Sequence, residues 1–159
     1  MWKRGKSTMS AKSRGCLESW IGAFSYVQED PPRQIVGLRN PQLGALHAIH
    51  AHWSVTDATA TIVMPTGTDK TEVLLSMLVS LLCPRLLVVA PTDALRAQLA
   101  EKFATLGVLK FPGSTLLNIN AKYPVVCTLH HIPNAPDEVD YIFGRSPQEG
   151  RSGDRCQGH

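Results

Sequence analysis

Between Thr59 and Glu72 the chain runs through an apolar, β-rich stretch, Thr59 to Met64, and then Pro65-Thr66-Gly67-Thr68-Asp69-Lys70-Thr71-Glu72. A tight turn that opens a helix presents backbone N–H groups to an anion, and a following Lys and Thr supply an ammonium for phosphates and a hydroxyl for their Mg²⁺. Gly67, Lys70 and Thr71 stand where those roles need them. The strict spacing G-x-x-x-x-G-K-[ST] is broken at two places, by Met64 and Asp69. The same residues also fit a reading without a ligand, in which Asp69 caps the helix and Glu72 completes a capping box. If a nucleotide does bind, the Asp69 carboxylate faces its phosphates at about 5 Å, a repulsion of roughly 3 kcal/mol at an effective dielectric near 20. As a cap at a helix N-terminus, Asp69 is expected to stabilise the ligand-free protein, so Asp69→Gly should lower its melting temperature.

Positioning such a loop requires a strand before it and a helix after it, and the chain offers several such units. Asn40-Pro41 is a helix start, followed by Leu43, Leu46, Ala48, Ile49 and Trp53 at roughly helical spacing. Lys70 to Cys83 predicts an apolar helix stopped by Pro84, and Asp93 to Thr105 an amphipathic helix closed by Gly107. Leu86 to Ala90 reads as a strand buried on both faces, and Pro124 to Leu129 and Val139 to Phe143 as two more short strands. The order predicts an α/β fold, a mostly parallel sheet with flanking helices.

Three segments in order resemble superfamily 2 DEAD/DEAH-like helicases, in particular the branch that includes type III restriction subunits. Pro65-Thr66-Gly67-Thr68-Asp69-Lys70-Thr71 resembles the first ATPase motif of that family apart from Asp69. Leu38-Arg39-Asn40-Pro41-Gln42 resembles its Arg-x-x-Gln element, whose Gln contacts the adenine edge. Ala90-Pro91-Thr92-Asp93-Ala94-Leu95-Arg96-Ala97-Gln98 resembles motif Ia, a strand-to-helix turn that contacts the nucleic-acid backbone. Val125 to Leu129 is a weaker match to the next strand, with Thr128 at its end. Taken singly, Gln42 also reads as an exposed helix residue, Thr92 and Asp93 as a helix cap, and Arg96 as part of a solvated face. The resemblance spans residues 33–143 and implies a partial RecA-like (P-loop) motor domain. It implies ATP and Mg²⁺, both weakly bound, at Arg39, Gln42, Pro65, Thr66, Gly67, Thr68, Asp69, Lys70 and Thr71, with Thr71 on the metal. It implies weak contact with a DNA or RNA backbone at Thr92, Arg96 and Thr128.

The family would next supply Asp-Glu-x-His at the end of a strand. Here Val139 to Phe143 is followed by Gly144-Arg145-Ser146-Pro147, and Asp137-Glu138 precedes the strand. The sequence reading is therefore a fragment of an ATP-dependent helicase or translocase, by truncation or frameshift, with no catalytic residue assigned and hydrolysis by this chain alone not expected. The alternative is a non-catalytic nucleic-acid or partner-binding remnant with a degenerate phosphate loop. Another P-loop enzyme, a kinase or GTPase, lacks support from the Gln42 and motif Ia elements.

Composition sets the remaining bounds. The 159 residues carry net charge +3 and 43% hydrophobic residues, enough for one packed domain. Lys3, Arg4, Lys6, Lys12 and Arg14 lie in the first 15 residues with no acid among them, whereas 33–143 holds eight basic and eight acidic residues. Residues 1–32 are accordingly expected to be a basic, flexible extension with a possible short helix, 33–143 the partial ATP-binding domain, and 144–159 a disordered tail. Cys16, Cys83, Cys127 and Cys156 are widely spaced and expected to be reduced thiols of a cytoplasmic protein. No secretory signal is evident, and the apolar helix from Val73 to Cys83 is about half the length that spans a bilayer. His47/His50, His130/His131 and Cys156/His159 lack the partners of a metal motif, so no metal site is assigned to them.

Overall fold

A computed structural model describes residues 10–129. Among the described residues there are four α-helices: α1, Ala11–Trp20; α2, Asn40–Val55; α3, Lys70–Ser80; and α4, Asp93–Thr105. Short 3-10 turns at Pro31–Arg33 and Gly107–Lys110 complete the regular structure. Residues 12–128 form one compact unit.

The helices start and stop for local reasons. In α2, Arg39 takes the cap position and Pro41 sits in the first turn, where a missing N–H costs nothing. In α4, the Thr92 hydroxyl caps the helix by accepting from the Leu95 N–H at 3.2 Å, and Leu106 and Gly107 end it with φ of 59° and 47°. α3 ends at Ser80, three residues short of the expected Cys83, because Leu82 turns left-handed at φ 51°. α1 begins at Ala11, inside the stretch that composition alone reads as tail.

The core lies where α2 meets α3 and where α3 meets α4 and the 107–110 turn. Leu38, Leu46, Leu75, Val79, Leu106, Leu109 and Leu116 are fully buried, each contributing about 1.5–3 kcal/mol relative to exposure. α1 is fastened to residues 122 and 123. Trp20 Nε1 donates to the Lys122 carbonyl at 2.9 Å, the Lys122 N–H donates to Ser19 Oγ at 2.8 Å, and the Cys16 thiol donates to the Tyr123 carbonyl at 3.2 Å.

The expected mostly parallel sheet is not present. Among the described residues there is no strand, only isolated bridges: Phe24 with Leu117 and Asp30 with Ile35 antiparallel, Gln28 with Leu38 and Val36 with Ser114 parallel. The segments read as strands at 59–64, 86–90 and 124–129 have no regular secondary structure and join no ladder. Their side chains show why the sequence misled. Met64 is buried and Leu86 and Val88 pack on the core, while Val63, Leu87 and Val89 are 90%, 78% and 85% exposed. An apolar run predicts extended chain that could be covered on both faces, but a ladder needs a distant partner, and composition does not encode one. Val139 to Phe143 lies outside the described residues.

Segment 24–30 is instead joined to 35–38 by paired backbone bonds, Leu38 N–H to Val27 O at 2.8 Å and Glu29 N–H to Leu38 O at 2.9 Å. Gly37 makes this possible, since a Cβ there would lie 2.6 Å from Gln28 C and Glu29 N.

Candidate phosphate-binding site

The loop from Pro65 to Asp69 turns sharply and delivers its backbone to the start of α3. Gly67 has φ 79° and Asp69 has φ 47°, ψ 62°, both left-handed. Gly adopts that region freely and Asp tolerates it, so position 69 is one where glycine is the natural occupant. Among the described residues, the N–H groups of Gly67, Thr68, Asp69, Lys70 and Thr71 donate to no protein acceptor. The Pro65 carbonyl accepts from Lys70 Nζ at 3.0 Å and from the Thr68 hydroxyl at 2.7 Å, which folds the lysine back over the loop. Pro65, Thr66, Gly67 and Lys70 are exposed and Thr71 is half-buried.

Arg39 and Gln42, at the start of α2, reach the same loop. Arg39 Nη1 donates to the Gly67 carbonyl at 3.2 Å. Gln42 Nε2 donates to the carbonyls of Thr68 at 2.8 Å and Asp69 at 3.3 Å, and Gln42 Oε1 accepts from the Arg39 N–H at 2.8 Å. Gln42 is 3% exposed, so the reading of it as an ordinary exposed helix residue is excluded.

The capping box read from Asp69 and Glu72 does not form. Asp69 occupies the cap position of α3, yet its side chain makes no capping hydrogen bond. Its carboxylate lies 3.6 Å from Arg39 Nη1 and 3.8 Å from Lys102 Nζ. Glu72 is buried, pairs with Lys102 Nζ at 2.9 Å, and accepts from the Val108 N–H at 3.2 Å. Gly107 leaves room for that carboxylate, since a Cβ there would meet Glu72 Oε2 at 2.8 Å. The pairing of Lys102 with Glu72 and the room that Gly107 leaves for it escape a sequence reading because Glu72 is 30 or more residues away. Glu72 carries a faint signal: a carboxylate directly ahead of the apolar run Val73 to Leu75 needs a partner if it is buried.

The residues read as nucleic-acid contacts divide. Thr92 and Arg96 share the first turn of α4, with Arg96 Nη2 3.1 Å from Asp93 Oδ1. Thr128 is exposed in the irregular segment 124–128. His47 and His50 belong to an aromatic cluster: Tyr26 stacks on His47 with ring centroids 5.2 Å apart, and its hydroxyl lies 3.2 Å from His50 Nε2, which also meets Ser80 Oγ at 2.9 Å. Burial, and then the charge of His47, push the His50 pKa below its ordinary value. Among the described residues no three His, Cys, Asp or Glu side chains are grouped to hold a metal, and no helix is long and apolar enough to cross a membrane. His130, His131, Cys156 and His159 lie outside the described residues.

The model of the type III restriction enzyme res subunit family matches residues 35–123, more than half of the chain. The chain belongs to that family, a DEAD/DEAH-like domain family of helicase superfamily 2. At the family level this is the class of ATP-dependent, nucleic-acid-acting, helicase-like enzymes. No curated protein and no solved structure matches the chain significantly.

Proposed function

We propose that this chain binds a nucleoside triphosphate with Mg²⁺ at the 65–71 loop and a nucleic-acid backbone at the start of α4, as part of an ATP-dependent helicase or translocase. The observation that carries the reading is the run of unpaired N–H groups from Gly67 to Thr71 beside Lys70. Such a run at a helix start fits an anion and favours a phosphate electrostatically. On binding, Lys70 would exchange the Pro65 carbonyl for phosphate oxygens, and Thr71 would supply its hydroxyl to the metal.

The residues fit the phosphates in backbone geometry and conflict with them at one side chain, the Asp69 carboxylate. Arg39 and Lys102 offset part of that negative charge. That carboxylate favours the second reading, a binding remnant that holds nucleotide weakly and turns none over. Titration calorimetry of the full chain with ATP and Mg²⁺ tests the proposal: weak binding abolished by Lys70→Ala supports it, and heat unchanged by Lys70→Ala refutes it. A helicase or translocase role predicts in addition that single-stranded DNA or RNA raises the affinity for nucleotide, whereas the remnant reading predicts no coupling.

A further inference from the structure

We infer that Lys102, from α4, is a cation of the phosphate site, and that Asp69 is a latch that keeps Lys102 and Arg39 occupied while the site is empty. The inference rests on the nucleotide reading above and adds the regulation of that site. The Asp69 carboxylate lies between a cation at the cap of α2 and one on α4. Its Oδ2 is 3.6 Å from Arg39 Nη1 and its Oδ1 is 3.8 Å from Lys102 Nζ. The side chain makes no capping hydrogen bond with α3. It belongs to a residue inside the run of N–H groups from Gly67 to Thr71, so the chain places an anion of its own at the mouth of an anion site.

Both pairs are longer than hydrogen bonds and the Asp69 side chain is 52% exposed, so the latch is weak. A working latch has to be. A triphosphate carries several charges, and its oxygens accept charge-assisted hydrogen bonds from lysine and arginine, so it displaces a single carboxylate from both cations. Lys102 is prepared for the exchange. Its bond to Glu72 Oε1 at 2.9 Å holds the ammonium in place whichever anion takes its remaining donors. Arg39 is held likewise, by the Gly67 carbonyl at 3.2 Å and by Glu29 at 3.6 Å. Apparent affinity falls in proportion to the fraction of open latch, so closure about nine-tenths of the time weakens binding about tenfold. Glycine, which suits the left-handed backbone at position 69, would leave the site unlatched.

Titration calorimetry with ATP and Mg²⁺ tests this on the full chain, unaltered and with Asp69→Asn, Lys102→Gln or both. Asparagine tolerates the left-handed backbone without the charge, and glutamine keeps a donor for Glu72. Asp69→Asn is expected to bind ATP about tenfold more tightly. The loss caused by Lys102→Gln is expected to be about tenfold larger in the Asp69→Asn protein than in the unaltered chain, because only there is the cation not already taken. Equal losses in the two backgrounds would overturn the inference, since simple charge repulsion by Asp69 is additive with Lys102. So would no loss in either. Should Lys102→Gln fail to fold, acylation of Lys102 by acetic anhydride decides on the other two proteins. Asp69→Asn is expected to speed it about threefold without nucleotide, the scale of one weak ion pair. Saturating ATP is expected to slow it in both proteins. Acylation indifferent to Asp69 or to ATP would likewise sink the latch. If neither the unaltered nor the Asp69→Asn protein binds ATP, the nucleotide reading falls and the latch with it. Binding with equal losses leaves that reading standing and removes the latch alone.

Discussion

The Asp69 carboxylate stands 3.6 Å from the Arg39 guanidinium while the Asp69 backbone is held at φ 47°, so one residue carries a favourable charge and an unfavourable conformation together. Removing the side chain relieves the conformation by about 1 kcal/mol. The two ion pairs lost are long and half-exposed, and such pairs contribute about 0–1 kcal/mol each. Asp69→Gly is therefore expected to shift the stability of the ligand-free protein by no more than about 1 kcal/mol in either direction, in place of the clear loss that the capping expectation gives. Differential scanning calorimetry checks this, and a clear drop would return Asp69 to a capping role. The same variant is expected to bind ATP about tenfold more tightly, because a negative charge next to the loop that would hold the phosphates is removed. Equal affinities by calorimetry would show that Arg39 and Lys102 already neutralise it.

Glu72 and Lys102 form the buried counterpart of that exposed pair, 2.9 Å apart. Lys102→Met leaves a buried carboxylate with only the Val108 N–H, a loss of about 2–4 kcal/mol, somewhat discounted because Lys102 is partly exposed. Glu72→Gln combined with Lys102→Met should recover most of it. Urea unfolding of the four proteins gives the coupling directly, and additive losses would mean the pair contributes nothing. Gly107→Ala should cost about 1–3 kcal/mol by the same assay, since the added carbon meets the Glu72 carboxylate at a positive φ.

His50 gives the stability a pH dependence of definite sign. Its pKa is lowered in the folded protein by burial and by His47, so its ordinary value near 6.5 belongs to the unfolded chain. The unfolded state then binds the proton more readily, and folding stability falls as pH falls. This contribution is complete above about pH 6.5 and is lost as the pH drops through the folded value. Melting temperatures at pH 7.5 and 5.5 should differ more for the unaltered protein than for His50→Gln, and an equal difference would remove His50 from the account.

Arg96 is engaged with Asp93 at 3.1 Å, so any phosphate must compete for it. Asp93→Asn should strengthen binding to single-stranded nucleic acid, and Arg96→Ala should weaken it and reduce the slope of log affinity against log salt by about one. Fluorescence anisotropy across a salt series measures both. Loss of all binding on replacing Lys3, Arg4 and Lys6 by alanine, with Arg96→Ala silent, would place the contact in the basic N-terminal residues.

Burial also orders the thiols. The Cys16 and Cys83 pKa values are raised by desolvation, the first against an opposing pull from Lys122, whereas Cys127 is exposed. Iodoacetamide at neutral pH should alkylate Cys127 well before Cys16 or Cys83, as peptide mapping would reveal. Faster labelling of Cys16 would mean that α1 leaves residues 122 and 123.

What the sequence conveyed divides along the reach of the interactions. α4 was readable at both ends, because Thr92 and Gly107 are local signals, whereas the amphipathic face expected between them is reduced to one buried residue, Phe103. The phosphate loop was readable as a pattern, and Gln42 as a partner of the site, though only through resemblance. The sheet was misread because Val63, Leu87 and Val89 look alike whether a neighbour covers them or water does. Asp69 was misread as a cap because its type suits that position, while the backbone angle that turns its carboxylate toward Arg39 and Lys102 leaves no trace in the local sequence. Trp20 was not recognised as an anchor for α1, since its partner, the Lys122 carbonyl, is 102 residues away.

The missing side chain at Gly37 has a practical consequence for any survey of variants of this chain. Every replacement there would force Gln28 and Glu29 away, parting the 24–30 segment from the residues that lead into Arg39. A saturation screen scored on ATP retention would rank position 37 beside Lys70, although Gly37 offers a ligand nothing. Only a parallel screen for abundance would tell the two apart: Lys70 variants should accumulate normally without binding, and Gly37 variants should be depleted before binding is ever asked of them.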